Sequence, residues 1–198
     1  LEGKKSPYLS WYRFYLDDHN ELAYDAWWGF SDLPNVNEHD LSYRAFILAQ
    51  DGVVQSWLKA GAKGFRLDVS DELPDDFLRA LRQAIKEATD GQGLMLGEVW
   101  EDASNKISYG AYRDFLFGLT HDCVMGYPFR DYVLGYLTGA LDATMLEIRL
   151  EGLRENYPME AYYCNLNLIS SHDVPRAMTV LGGDPDPGDR PTQATIQM

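Results

Sequence analysis

Three short apolar runs each end on a carboxylate: Lys63–Gly64–Phe65–Arg66–Leu67–Asp68, Leu94–Met95–Leu96–Gly97–Glu98 and Asn167–Leu168–Ile169–Ser170–Ser171–His172–Asp173. Two such acids acting together suit cleavage of a glycosidic bond. One must be ionised, to attack or stabilise the anomeric carbon. The other must be protonated near neutral pH, to supply the leaving oxygen. Asp68 fits the first role. Arg66 stands two residues earlier, so both side chains leave an extended strand on the same face. Its fixed charge keeps Asp68 ionised and oriented. Glu98 fits the second role, because Gly97, Val99 and Trp100 are less polar neighbours that raise the proton affinity of a carboxyl group. Each site also has a plain structural reading: a strand-end ion pair for Arg66/Asp68, a helix cap or satisfied polar group for Glu98, and a turn for His172–Asp173. Placement of all three on successive strand ends favours the chemical reading.

The segments between these runs must bring the acids to one place. After Asp40–Leu41–Ser42 a helical periodicity begins, with Phe46, Ala49, Val53 and Trp57 on one face and Gly61 as the stop. Pro74–Asp75–Asp76 opens a second helix, whose stripe is Phe77, Leu78, Leu81, Ile85 and Ala88 and whose end is Gly91. Tyr109–Leu119, Phe129–Leu137, Asp142–Arg154 and Val174–Leu181 also read as helical. Lys63–Asp68, Gly93–Glu98, His121–Met125 and Leu166–Ser170 read as strands. Strands separated by amphipathic helices imply parallel pairing. In such α/β sheets the chemistry collects at the carboxyl ends of the strands, where Asp68, Glu98 and Asp173 all stand. The pattern alone does not distinguish a barrel from an open sheet.

Composition narrows the partners. The chain has 198 residues, 45% of them hydrophobic, enough for one sizeable core. A net charge of -14 argues against nucleic acid or an anionic membrane surface. The chain opens on Leu1–Glu2–Gly3 without Met or a signal-peptide pattern, and reads as a piece of a longer protein. Its localisation stays open. Cys123 and Cys164 sit in apolar runs without metal or redox spacing, and read as buried free thiols. No cofactor is expected. Asp184, Asp186 and Asp189 could in principle ligate calcium, but their spacing misses the calcium-loop pattern and suits a Pro-rich loop. His19, His39, His121 and His172 lack zinc spacing. Residues 1–40 read as irregular and rich in aromatic side chains. These pack a core or a contact, or stack on the C–H faces of sugars, with Trp28, Trp27 and Tyr24 as the candidates.

Several runs resemble a known family. Gly64–Phe65–Arg66–Leu67–Asp68–Val69, Gly97–Glu98–Val99–Trp100 and Ser171–His172–Asp173 resemble three short regions shared by the alpha-amylase family of glycoside hydrolases. Leu33–Pro34–Asn35–Val36–Asn37 is similar to that family's additional short region. Val124–Met125–Gly126–Tyr127–Pro128–Phe129 and Ser171–His172–Asp173–Val174–Pro175–Arg176 look closest to the neopullulanase, cyclomaltodextrinase and maltogenic amylase branch. The resemblance runs from about residue 10 to residue 183.

It implies part of a (β/α)8 barrel in residues 41–198, about strands four to seven, preceded by an irregular excursion in residues 1–40. It implies a retaining mechanism on α-glucans such as starch, pullulan or cyclodextrin. Asp68 becomes the nucleophile, Glu98 the general acid/base and Asp173 the stabiliser of the oxocarbenium-like state. Arg66 holds Asp68. His172, Trp100, Glu72 and Trp28 become substrate contacts. Gly126 stands where this branch often has Asn, and the family's Asp–x–x–x–Asn–His region is absent. A complete barrel needs about 250 residues. The expectation is therefore an active parent protein, an inactive isolated piece, and self-association through exposed sheet edges. Transglycosylation by the same machinery and a non-catalytic carbohydrate-binding module are the alternatives.

Overall fold

A computed structural model describes residues 5–182. Two compact units divide them. One holds the residues through Lys63 together with Asp76–Gly93, and the other holds Gly64–Asp75 and the residues from Leu94 onward.

The first unit opens with more regular structure than its sequence suggests. Strands β1 (Phe14–Leu16) and β2 (Leu22–Tyr24) form an antiparallel hairpin. Asp17 builds its turn by accepting the His19 and Glu21 amides, both at 2.9 Å, an aspartate's usual turn chemistry. Helices α1 (Leu41–Leu48) and α2 (Val53–Lys59) replace the single helix expected there. Ala49 turns extended and the Gly52 amide bonds back to its carbonyl at 2.7 Å, which breaks the register. Phe46 and Trp57 are exposed and Val54 carries the buried contact, so the predicted stripe does not form. Asp40 caps α1 by accepting the Tyr43 amide. Helix α3 (Asp75–Ala88) follows its expectation more closely: Phe77, Leu78, Leu81 and Ile85 are buried. Each contributes about 2 kcal/mol. Ala88, at the frayed end, is exposed.

The second unit is built on four parallel strands in the order β3 (Gly64–Leu67), β4 (Leu94–Gly97), β7 (Cys123–Gly126) and β8 (Leu166–Asn167). Between β4 and β7 lies a hairpin of β5 (Ile107–Ser108) and β6 (Ala111–Tyr112), where a helix over Tyr109–Leu119 was expected. Tyr109 and Gly110 both take positive φ, 52° and 74°, which makes a tight two-residue hairpin turn and excludes helix. Helix α4 (Tyr127–Leu137) starts directly on the end of β7, and α5 (Ala143–Asn156) starts on an Asp142 cap. The short α6 (Met159–Cys164) was not anticipated behind Pro158. Strand β8 stops at Asn167, three residues before the expected end, because Leu168 and Ile169 turn into two core clusters. One is Leu96, Cys123, Met125 and Tyr127. The other is Leu134, Ala177 and Leu181, beside α7 (Ala177–Val180). Both cysteines are free, but only Cys123 is buried. Cys164 is exposed on the last turn of α6. The Asp184/Asp186/Asp189 loop lies outside the described residues.

Candidate active site

Strand register brings the first two acids together. Arg66 pairs with Leu96 and Leu67 with Gly97, so Asp68 and Glu98 leave adjacent parallel strands at the same level. The Glu98 amide extends the ladder to the Leu67 carbonyl at 3.1 Å. Beyond Asp68 the chain reverses at Val69, held in the left-handed region at φ 42°. That costs a β-branched residue about 1–2 kcal/mol. The reversal turns the Val69 amide onto Glu98 Oε2 at 2.8 Å. The Ser70 hydroxyl donates to the Glu98 carbonyl at 3.0 Å.

Arg66 joins the two acids. Nη1 pairs with Asp68 Oδ1, and Nη2 lies 3.1 Å from Glu98 Oε1. Two carboxylates on one guanidinium suit the short separation that retaining glycosidases require. Their exposures differ sharply: the Asp68 side chain is 74% exposed and that of Glu98 only 4%. Glu98 is buried, and the less polar surroundings expected from Gly97, Val99 and Trp100 are not what its carboxyl group meets. Besides Arg66 and the Val69 amide, Trp100 Nε1 donates to Oε1 at 3.0 Å and the Tyr127 hydroxyl reaches it at 3.5 Å.

Tyr127 joins this cluster although sequence reasoning had not singled it out as a site residue. It is the first residue after β7, and its hydroxyl also lies 3.2 Å from Asp173 Oδ2 and 3.1 Å from Ser171 Oγ. Its position at the carboxyl end of a strand was the available signal. Burial chiefly, with the charges of Glu98 and Asp173 adding, pushes the phenol above its ordinary value. The ring stacks on Trp100 at 4.6 Å and 15°. His172 Nε2 stands 3.3 Å from Asp173 Oδ1 on an exposed bend. Glu72 follows four residues after Asp68 and accepts the Tyr109 hydroxyl. Trp28 belongs to the first unit, where it stacks on Trp27 at 5.2 Å and stands exposed.

Two glycines are set by close approach. A Cβ at Gly97 would meet His121 Cδ2 at 2.5 Å, and one at Gly126 would meet Asn167 Oδ1 at 2.6 Å. The second explains the missing Asn: Asn167 already occupies that space. His121 is a second residue missed. Its ring is buried edge-on against Phe115, and burial, then the Arg113 charge, lowers its pKa to about 4. It is therefore neutral near neutral pH. Among the described residues no group of three or more His, Cys, Asp or Glu is placed to hold a metal ion. No helix there is long and apolar enough to cross a membrane.

The parallel sheet thus gathers an Arg-bridged carboxylate pair and a third acid beyond its carboxyl end, where α/β domains carry their sites. The chain belongs to the alpha-amylase family: the family model for the alpha amylase catalytic domain matches residues 11–195. It is 32% identical to an amylopullulanase of Thermoanaerobacterium thermosulfurigenes over 91% of this chain and 10% of that protein. It is 31% identical to a cyclomaltodextrinase of Geobacillus thermopakistaniensis over 92% of this chain and 30% of that protein. The fold matches the cyclic alpha-maltosyl-(1→6)-maltose hydrolase of Arthrobacter globiformis with a TM-score of 0.80 at 28% identity. That match covers 92% of this chain and 40% of the other. The chain thus spans a third or less of these two curated relatives, and its four parallel strands are part of a (β/α)8 barrel.

Proposed function

We propose that the full-length protein hydrolyses α-glucans with retention of anomeric configuration, cutting α-1,4 and α-1,6 bonds of starch, pullulan or cyclodextrin type. One observation carries the reading: Arg66 lies between Asp68 and Glu98, and the Tyr127 hydroxyl between Glu98 and Asp173, so two side chains link all three acids at one end of the sheet. The relatives' names support the substrate class.

In this reading the Asp68 carboxylate attacks the anomeric carbon while Glu98 gives a proton to the departing glycosidic oxygen. A glycosyl ester forms on Asp68 and the leaving sugar departs as an alcohol. Glu98, now ionised, takes a proton from water. The water oxygen attacks the anomeric carbon and frees Asp68. Asp173 stabilises the developing positive charge, and Tyr127 keeps it in register with Glu98. Trp100, stacked and half exposed, offers an apolar face to a pyranose ring, while His172 and Glu72 offer polar contacts to its hydroxyls. Trp28 serves as a separate stacking surface in the first unit. For the 198-residue piece by itself the proposal is no turnover and self-association through the edge strands β3 and β8, which sedimentation velocity tests.

Asp68→Asn is the direct test. Turnover of maltooligosaccharides and cyclodextrin should fall by about 10⁴-fold while binding persists. Undiminished turnover would exclude Asp68 as nucleophile.

A further inference from the structure

The hairpin β5–β6 is braced far more heavily than a two-residue ladder needs. Arg113, buried just after β6, spends its guanidinium on the segment that follows Asp68. Nε donates to Asp75 Oδ1 at 2.7 Å, Nη1 to the Asp71 carbonyl and Ser108 Oγ at 2.7 Å each, and Nη2 to the Leu73 carbonyl at 2.6 Å. Lys106 adds contacts to Asp71 at 3.1 Å and Glu101 at 2.6 Å. Tyr112 closes the base on the Ser104 carbonyl.

What this brace presents is Tyr109. It occupies the first central position of the turn at φ 52°, where Asn or Gly is at ease and a tyrosine is strained. Its ring is 78% exposed. Its hydroxyl is tethered to Glu72, four residues beyond Asp68. An aromatic side chain held in an unfavourable backbone state, exposed yet tethered at its tip, offers a fixed flat face. Glu72 beside it supplies a carboxylate that can accept sugar hydroxyls. Flat aromatic faces with an adjacent acceptor suit a neutral pyranose ring, since ring C–H groups pack on the face while hydroxyls reach the acceptor.

We propose that Tyr109, at the tip of the braced hairpin and beside Glu72, binds a glucose unit of the α-glucan chain beyond the pair that spans the cleaved bond, and so sets preference for longer substrates. This inference rests on the α-glucan hydrolase reading.

The test compares Tyr109→Asn and Tyr109→Phe in the full-length protein, on 4-nitrophenyl α-glucoside and on maltooligosaccharides of increasing length. Asn suits the turn, so the hairpin should form at least as well. The loss in kcat/KM for Tyr109→Asn should grow with chain length, reaching about five- to tenfold on the longest chains through KM. Phe keeps the flat face but loses the tether to Glu72, and should restore part of it. A loss equal at every length, no loss at all, or equal losses in both variants overturns the inference while leaving the hydrolase reading intact. If the unsubstituted protein and Asp68→Asn are equally inert on every α-glucan, the underlying reading fails and this inference with it.

Discussion

Glu98 stands directly after β4 and Asp173 on a bend six residues beyond β8 of the same sheet, and they are held by opposite means. Glu98 follows a strand paired over four residues with β3, and the Arg66 cation with donors from Val69, Trp100 and Tyr127 surrounds its carboxyl group. Asp173 follows a strand paired over only two residues with β7. Its side chain is 31% exposed, and Ser171 and His172 of its own bend supply much of its company. Long register prebuilds one half of the site at no cost during reaction. Short register leaves the other half to be completed by Tyr127 and by substrate.

Four substitutions sharpen or break this contrast. Arg66→Met takes away the guanidinium shared by Asp68 and the buried Glu98 carboxyl group, and should cost about 3 kcal/mol of stability by urea denaturation. An unchanged midpoint would mean that Glu98 is not prebuilt around Arg66. His121→Leu addresses the layer behind Gly97. His121 titrates near 4 when folded and near its ordinary 6.5 when unfolded, so the unfolded chain takes up a proton that the folded protein refuses. Its contribution is intact above about pH 6.5 and is lost as pH falls towards 4, by up to roughly 3 kcal/mol. Arg113, Asp114 and Asp122 are the charges that act on it. The Leu variant should flatten that acid limb in denaturation midpoints taken from pH 7 to 4. A slope equal to that of the unsubstituted protein would remove His121 from the account.

Tyr127→Phe keeps the stack on Trp100 and deletes the one hydroxyl shared by Glu98 and Asp173. A loss of about 1.5 kcal/mol in kcat/KM, near tenfold, is expected. A negligible change would show that the two halves act independently. His172→Ala should be smallest for stability, within about 0.5 kcal/mol, because its side chain is 75% exposed. It should instead raise KM a few fold. A large fall in melting temperature would contradict the picture of a lightly held half.

Periodicity and run endings alone identified β3, β4, β7, α3, α4 and α5, because each has a regular apolar pattern or a clear cap. They also placed Asp68 and Glu98 at strand ends and Arg66 on the face of Asp68, whereas Asp173, expected at a strand end, stands on a bend six residues past β8. The helix expected over Tyr109–Leu119 failed because a turn with two positive φ values and the distant partners of Arg113 override local helical spacing. The single helix after Asp40 failed for a similar reason at Ala49–Gly52. Cys164 shows the limit of composition: an apolar run at the end of α6 still faces outward.

What the sequence by itself determined is the set of acids and their strand ends, since a strand's period of two and its terminal residue are local properties. Which groups surround Glu98, that Tyr127 joins it to Asp173, that His121 and Asn167 crowd Gly97 and Gly126, and that Glu72 meets Tyr109 were decided only by the tertiary structure. Apart from Trp100, which stands two residues from Glu98, those contacts span between 24 and 46 residues of chain. No local pattern encodes a pairing that exists only once strand register has brought separate segments within hydrogen-bonding reach.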